Sequence, residues 1–427
     1  MDALKILIIT YYWPPAGGGG VQRWLYFSKY LKDKGIVVSV LTVNENDASY
    51  PLIDPNLIDF AKDIETFKTK SIDPLKLYSK LTSGNSKDNI PYGGFDAKKS
   101  IFKYLASWIR GNLFIPDARI GWNKYAIKKA HKILKKGYTH IITTGPPQSS
   151  HLIGLKLKKT YPNLIWFADL RDPWSELYIN ETLPQSNWAR RKNLKLEKQC
   201  LDAADKIITI GNELKSLLTK KSKTPIEVIY NGFEEAIFTG KNYIGTNKFT
   251  LLHVGLLGEK QDCTALAEAL KQLVNKYPHQ QFQLLMIGKI VDINEKLFQS
   301  IPSFSYENLG YLSQEEAITY MFNADLLLNV TPQTAHESIM VSTKTMEYLR
   351  TRRPTLVLSN EPKEFHFLFN NESLLKTAHR SKANEILLAM EHIYVNYLAN
   401  PKQQSSLDVS KYSREAGTEK LIALLNQ

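Results

Sequence analysis

Cysteine is nearly absent: Cys200 and Cys263 are the only two in 427 residues. That excludes a disulfide framework and leaves no zinc-type spacing, so the expected setting is a reducing cytoplasm. No uninterrupted apolar run reaches the ~20 residues that a membrane helix requires. The N-terminus lacks signal-peptide character, because Asp2 opens it and residues 4–10 (LKILIIT) read as a buried strand. No D-x-D triplet occurs, which removes the usual carboxylate pair that holds a divalent ion under a diphosphate. Neither a metal nor a bound cofactor is therefore expected. Acidic residues are missing from a whole segment: residues 119–168 hold ten Lys or Arg and no Asp or Glu.

What is present begins with charge. The net +13 concentrates in residues 124–136 (KYAIKKAHKILKK), where six lysines flank Trp122, Ala126, Ala130 and Ile133 at helical spacing. A basic amphipathic helix over 123–136 suits an anionic membrane surface, which would place the protein at the inner face of a membrane. A solvated outer face of an ordinary crossover helix gives the same pattern. No zinc-finger, RRM or helix-turn-helix signature accompanies the charge, so nucleic acid is not an expected partner.

The first 43 residues read as one β-α-β unit, with four glycines, 17–20, between strand and helix. Glycines there let backbone approach a ligand, and the helix N-terminus offers free N–H groups to an anion. The same four residues would also serve as a flexible linker. Strand two ends in Thr42-Val43-Asn44 rather than an acid, which disfavours a nicotinamide dinucleotide. Strand and helix patterns alternate onward, with a poorly patterned stretch near 44–117 and a polar segment at 240–248. The fold class is α/β: two Rossmann-like α/β/α domains facing across a central cleft, with a C-terminal helix crossing back. The expected boundaries are 1–225, 226–405 and 406–427.

The motifs in their order resemble the GT-B-fold, family-4-type retaining glycosyltransferases of bacterial polysaccharide assembly. They are PPAGGGGVQR (14–23), IPDARIGW (115–122), TTGPPQSSHLIG (143–154), FADLRDPW (167–174) and ADKIITI (204–210). IYNGFE (229–234), LLHVGLLGEK (251–260), LMIGK (285–289), GYLSQEEA (310–317) and KTMEYL (344–349) continue it. The resemblance implies a nucleotide-sugar donor bound by the C-terminal domain. It implies a glycan or lipid-linked acceptor bound by the N-terminal one, with retention of configuration. A degenerate nucleotide-sugar-binding partner of a glycan-assembly complex and a nucleotide-sugar epimerase remain as rival readings.

Carried onto this chain, the resemblance marks Gly18, Gly19, Gly20, Arg23, Gly255, Lys260, Gly288, Ser342, Lys344 and Glu347 as donor-binding residues. Two departures stand out. Leu256 occupies a position that normally holds a phosphate-binding Arg, and Ile339 occupies that of the first of two paired glutamates. Glu337 lies ten residues before Glu347 and would replace the missing one only across a longer loop. Lys344 and Glu347 also suit a plain i,i+3 surface ion pair. The catalytic candidates are Asp169, Arg171 and His151. A buried strand ending in two acids and an Arg is costly unless they are paired or working. A local Asp172–Arg171 cap over Trp174, and a core role for His151, are the plainer alternatives.

Overall fold

A computed structural model describes residues 4–72, 101–177, 183–339 and 341–427. The chain forms two compact units: residues 1–230 with 418–427, and residues 231–417. The last helix, Arg414–Leu425, therefore ends among the residues of the first unit.

The first unit is built on a seven-stranded parallel sheet in the order β3-β2-β1-β4-β5-β6-β7. Its strands are β1 (Lys5–Ile9), β2 (Val37–Val43), β3 (Glu65–Thr69), β4 (His140–Gly145), β5 (Ile165–Leu170), β6 (Lys206–Thr209) and β7 (Ile226–Val228). The central strands are apolar on both faces, as a sheet covered by helices on each side requires. Ile6, Ile8, Ile142, Phe167 and Ile208 join Trp24 and Phe27 of the Gly19–Asp33 helix in one core, and Leu421, Leu424 and Leu425 extend it. The strand order reverses between β1 and β4, so their carboxyl ends and that of β5 mark the unit's ligand-binding edge.

The second unit carries a six-stranded parallel sheet, β10-β9-β8-β11-β12-β13. Its strands are β8 (Phe249–Val254), β9 (Phe282–Ile287), β10 (Phe304–Asn308), β11 (Leu326–Val330), β12 (Thr355–Leu358) and β13 (Leu375–Ala378). Here the order reverses between β8 and β11, again placing a ligand edge at their carboxyl ends. Phe249, Leu251, Leu284, Leu328 and Leu356 pack with Leu270, Leu273 and Tyr394 in the core.

Three edge strands escape the apolar pattern. β3 falls inside the 44–117 stretch, and β3 and β10 are largely half-buried or exposed. β13 is four residues long with two of them half-buried. The helix Ile101–Leu113 lies in the same 44–117 stretch. No described helix is long and apolar enough to cross a membrane.

Candidate functional site

In the first unit, three strand ends bring polar groups together. Asp169, the penultimate residue of β5, is fully buried. It accepts from Arg23 Nη2 at 3.0 Å, Trp24 Nε1 at 2.6 Å and Thr144 Oγ1 at 2.8 Å. Arg23 is equally buried; its Nη1 donates to the carbonyls of Ile229 (2.7 Å) and Tyr230 (3.1 Å). The two charges thus compensate one another, as a buried ion pair must if it is to persist. Arg23 points inward to this network, although it follows the glycine turn in sequence.

Arg171 takes the place at the turn. Its Nε donates to Thr144 Oγ1 at 3.2 Å and its Nη2 to Pro146 O at 3.1 Å. A Cβ built on Gly20 would fall on its guanidinium, so Gly20 is the residue that admits Arg171 beside the helix start. Gly18 caps that helix at φ 101° over open space, and Gly19 is its first residue. Among the described residues Arg171 makes no salt bridge with Asp172, whose carboxyl is pushed up by burial; the local cap does not form.

His151 lies fully buried on the Ser149–Thr160 helix, its ring stacked 5.7 Å from that of Trp174. Its Nδ1 meets Thr143 Oγ1 at 2.8 Å, and Trp166 Nε1 donates to that same oxygen at 2.9 Å. With Trp166 donating to it, Thr143 Oγ1 keeps a second lone pair and its own proton, so it can serve either tautomer of the imidazole. Nε2 has no partner, and neither has Gln148 Oε1. Both converge on Gly145, where a Cβ would stand 2.6 Å from Nε2. Burial lowers the His151 pKa to about 3.

The second unit gathers its groups at the ends of β8 and β9. Gly255 (φ 114°) and Gly288 (φ 121°) adopt backbone reserved for glycine. A Cβ on Gly288 would stand 2.5 Å from Gly255 O, and one on Gly255 would stand 3.6 Å from Lys344 Nζ. Lys344 sits in the first turn of the Thr343–Thr351 helix, whose N-cap Ser342 makes no side-chain cap bond. Its Nζ lies 3.3 Å from His253 Nε2, and burial pushes the amine down to about 7. Burial and the Lys344 charge together hold His253 neutral. Among the described residues no carboxylate pairs with Lys344.

Glu347 is buried one turn further on and accepts from Gln314 Nε2 at 2.7 Å. Burial raises its pKa, against the opposing pull of Gln314 and Arg414. The i,i+3 surface pair is therefore not formed: Lys344 turns to His253, and Glu347 to Gln314. Lys260 is exposed and Leu256 faces solvent, so neither offers a buried cation at the β8 turn, and Lys344 is the cation beside Gly255. Glu337 is closed off inside the fold, accepting from Ser359 Oγ (2.7 Å), Asn360 N (2.9 Å) and Arg380 (3.1 and 3.2 Å). It holds a loop together and leaves Glu347 as a single carboxylate. His253, Gln314, Gln148 and Thr144 lie inside the quoted motifs, yet their spacing singled out none of them. Among the described residues no three His, Cys, Asp or Glu side chains cluster as a metal site would require.

No family model matches the chain, and no curated protein matches it in sequence. Solved structures match over its whole length. Sucrose-phosphate synthase from Thermosynechococcus elongatus aligns with a TM-score of 0.63 at 17% identity, covering 99% of this chain and 98% of its own. The lipopolysaccharide outer core galactosyltransferase WaaB aligns at 0.56 and 12% identity, covering 99% and 100%. UDP-GlcNAc 2-epimerase from Neisseria meningitidis, bound to UDP-GlcNAc, aligns at 0.54 and 12%, again covering 99% and 100%. The chain has the paired Rossmann-like fold called GT-B, and at these identities the likeness extends to the fold alone.

Proposed function

We propose that the protein is a nucleotide-sugar-dependent glycosyltransferase that moves a sugar to a glycan or lipid-linked glycan precursor in polysaccharide assembly. The observation that carries this reading is Lys344. A half-buried lysine that no carboxylate pairs with among the described residues, beside two glycines at positive φ and in the first turn of a helix, is suited to hold an anion. The donor diphosphate supplies that charge, approaching over Gly255 and Gly288 and against the amides at Ser342. Glu347, oriented by Gln314, accepts from the ribose hydroxyls one turn beyond. The exposed Lys260 reaches the same phosphates from the β8 turn.

Lys344 and the helix amides stabilise negative charge on the leaving phosphate, which is the task a divalent ion performs elsewhere. The proposed transfer is therefore metal-independent. Retention follows if the leaving phosphate takes the acceptor proton on the face it departs from, which asks for no enzyme nucleophile. The acceptor belongs to the first unit, where Arg171 and His151 Nε2 are polar groups at the sheet edge. Asp169 and Arg23 act there as positioning residues: they pair with each other, and Asp169 Oδ2 also lies 3.9 Å from Arg171 Nε. The lysines at 124, 128, 132, 135 and 136 are exposed, consistent with a protein peripheral to the cytoplasmic side of a membrane.

Both an epimerase and a transferase occur among the similar folds, and both bind a nucleotide-sugar. Turnover separates them. An epimerase interconverts the free donor, a transferase releases nucleotide slowly to water and faster to an acceptor, and a binding partner does neither.

A further inference from the structure

Asp117, Asp169 and Glu176, near the ends of β4 and β5, all have partners. Asp117 holds the start of the Ser149–Thr160 helix, accepting from Ser149 N at 2.7 Å, Ser149 Oγ at 2.8 Å and Arg119 N at 2.9 Å. Asp169 is bound by Arg23, and Glu176 by Lys221 at 2.6 Å. Asp172 differs. It is half-buried two residues beyond the end of β5, and among the described residues its carboxylate has neither a hydrogen-bond donor nor an ion-pair partner.

The backbone that carries Asp172 is fixed on both sides. Arg171 N donates to Gly145 O at 3.3 Å, and the Arg171 guanidinium donates to Thr144 Oγ1 and Pro146 O. Pro173 and Trp174 are buried, the indole donating to Asn193 Oδ1 at 2.8 Å. Gln148 Nε2 reaches Asp172 O at 3.5 Å. A desolvated charge without a counter-charge costs stability, and burial accordingly pushes this carboxyl up, against the pull of Arg171. Such a group, held by its neighbours and not by contacts of its own, is arranged for a ligand.

We propose that Asp172 is the residue that recognises the acceptor, its carboxylate accepting hydrogen bonds from neighbouring hydroxyls of an uncharged sugar. The charges on the page narrow the ligand. A carboxylate repels an acidic sugar, and the adjoining Arg171 guanidinium disfavours a protonated amino sugar; hydroxyl donors suit both. Asp172 binds and orients, while the acceptor proton leaves with the departing phosphate. The sugar's role as acceptor rests on the transferase reading, whereas its binding at Asp172 does not.

The test is saturation-transfer NMR of the full chain with the methyl glycosides of glucose, galactose and mannose, set against methyl glucuronide and methyl glucosaminide. A neutral glycoside is expected to bind, and more tightly than either charged one. Asp172→Asn should weaken that binding about tenfold or more, as loss of a charged hydrogen bond does. Asp33→Asn, at the exposed end of the Gly19–Asp33 helix, should leave it unchanged. Unchanged thermal unfolding shows that each variant is folded, and Asp172→Ser reads the same point if Asp172→Asn is not. With a donor that is turned over, Asp172→Asn should raise the glycoside KM by the same factor and lower kcat less, a split that a merely structural role would not give. Glycoside binding through Asp172 with no donor turned over would sink the transferase reading and keep this site. Binding that Asp172→Asn leaves unchanged, binding of the charged glycosides alone, or no glycoside binding at all would overturn the proposal and leave the donor reading to nucleotide titration.

Discussion

Lys344 Nζ lies 3.3 Å from His253 Nε2, and the two nitrogens cannot both carry a positive charge at that separation. The amine donates to a neutral imidazole. An anion beside the pair would favour the protonated amine, and two consequences of that are measurable, with two more from the Arg23–Asp169 pair and the glycine contacts.

Donor affinity should depend on pH through Lys344. Its free-state pKa is lowered to about 7, and a bound diphosphate stabilises the protonated form and raises it. Binding then takes up a proton above about pH 7, and affinity falls by up to about tenfold per pH unit until the bound-state pKa is passed. Calorimetry in buffers of different ionisation enthalpy reads the proton uptake directly. A pH-independent affinity between pH 7 and 9 would remove Lys344 from the phosphates.

Lys344→Met should make the empty protein more stable. The folded pKa lies below the ordinary 10.5, so between about 7 and 10.5 the unfolded chain binds more protons. The cost of burying the amine is full below about pH 7 and fades as pH rises toward 10.5. Replacing it at neutral pH should gain at least about 1 kcal/mol, roughly 2–4 °C in Tm, while donor binding is lost. A loss of stability would mean that Lys344 is a structural residue.

The Arg23–Asp169 pair should behave as structure. Asp169→Ala leaves Arg23 buried without its anion and should cost about 3–5 kcal/mol, read by denaturant unfolding. Nucleotide binding by the second unit should survive. Turnover lost by Asp169→Asn at a temperature where the variant is still folded would instead make Asp169 the proton acceptor.

The two glycine contacts should differ in kind. At Gly20 a Cβ displaces only the end of the Arg171 side chain, so Gly20→Ala should lower turnover and cost little stability. At Gly288 a Cβ meets Gly255 backbone at 2.5 Å and φ is 121°, so Gly288→Ala should cost about 1–3 kcal/mol and abolish donor binding. Parallel melts and nucleotide titrations of the two variants distinguish these outcomes.

Apolar runs make the central strands legible: β2 (VVSVLTV), β8 (FTLLHV) and β12 (TLVL) are each a short, mostly apolar run. β3, β10 and β13 were not legible, because short edge strands with half their side chains in water carry no such run. The glycine turns were readable, since strand, glycine and helix follow one another locally. The partners across the sheet were not. Arg23 meets Asp169 across 146 residues, and Lys344 meets His253 across 91. Spacing along the chain cannot reveal which way such a side chain turns. Glu337 carried the same ambiguity until Arg380 was seen to close over it.

The most direct test of the central claim is calorimetric titration of wild type, Lys344→Met and Glu347→Ala with a panel of nucleoside diphosphates and their sugars. The account predicts that one nucleotide family binds wild type without added divalent ion, that Lys344→Met removes the binding, and that Glu347→Ala weakens it by about tenfold or more, the loss of a charged hydrogen bond. Binding that survives both substitutions, or that none of the panel produces with folded wild type, would contradict it.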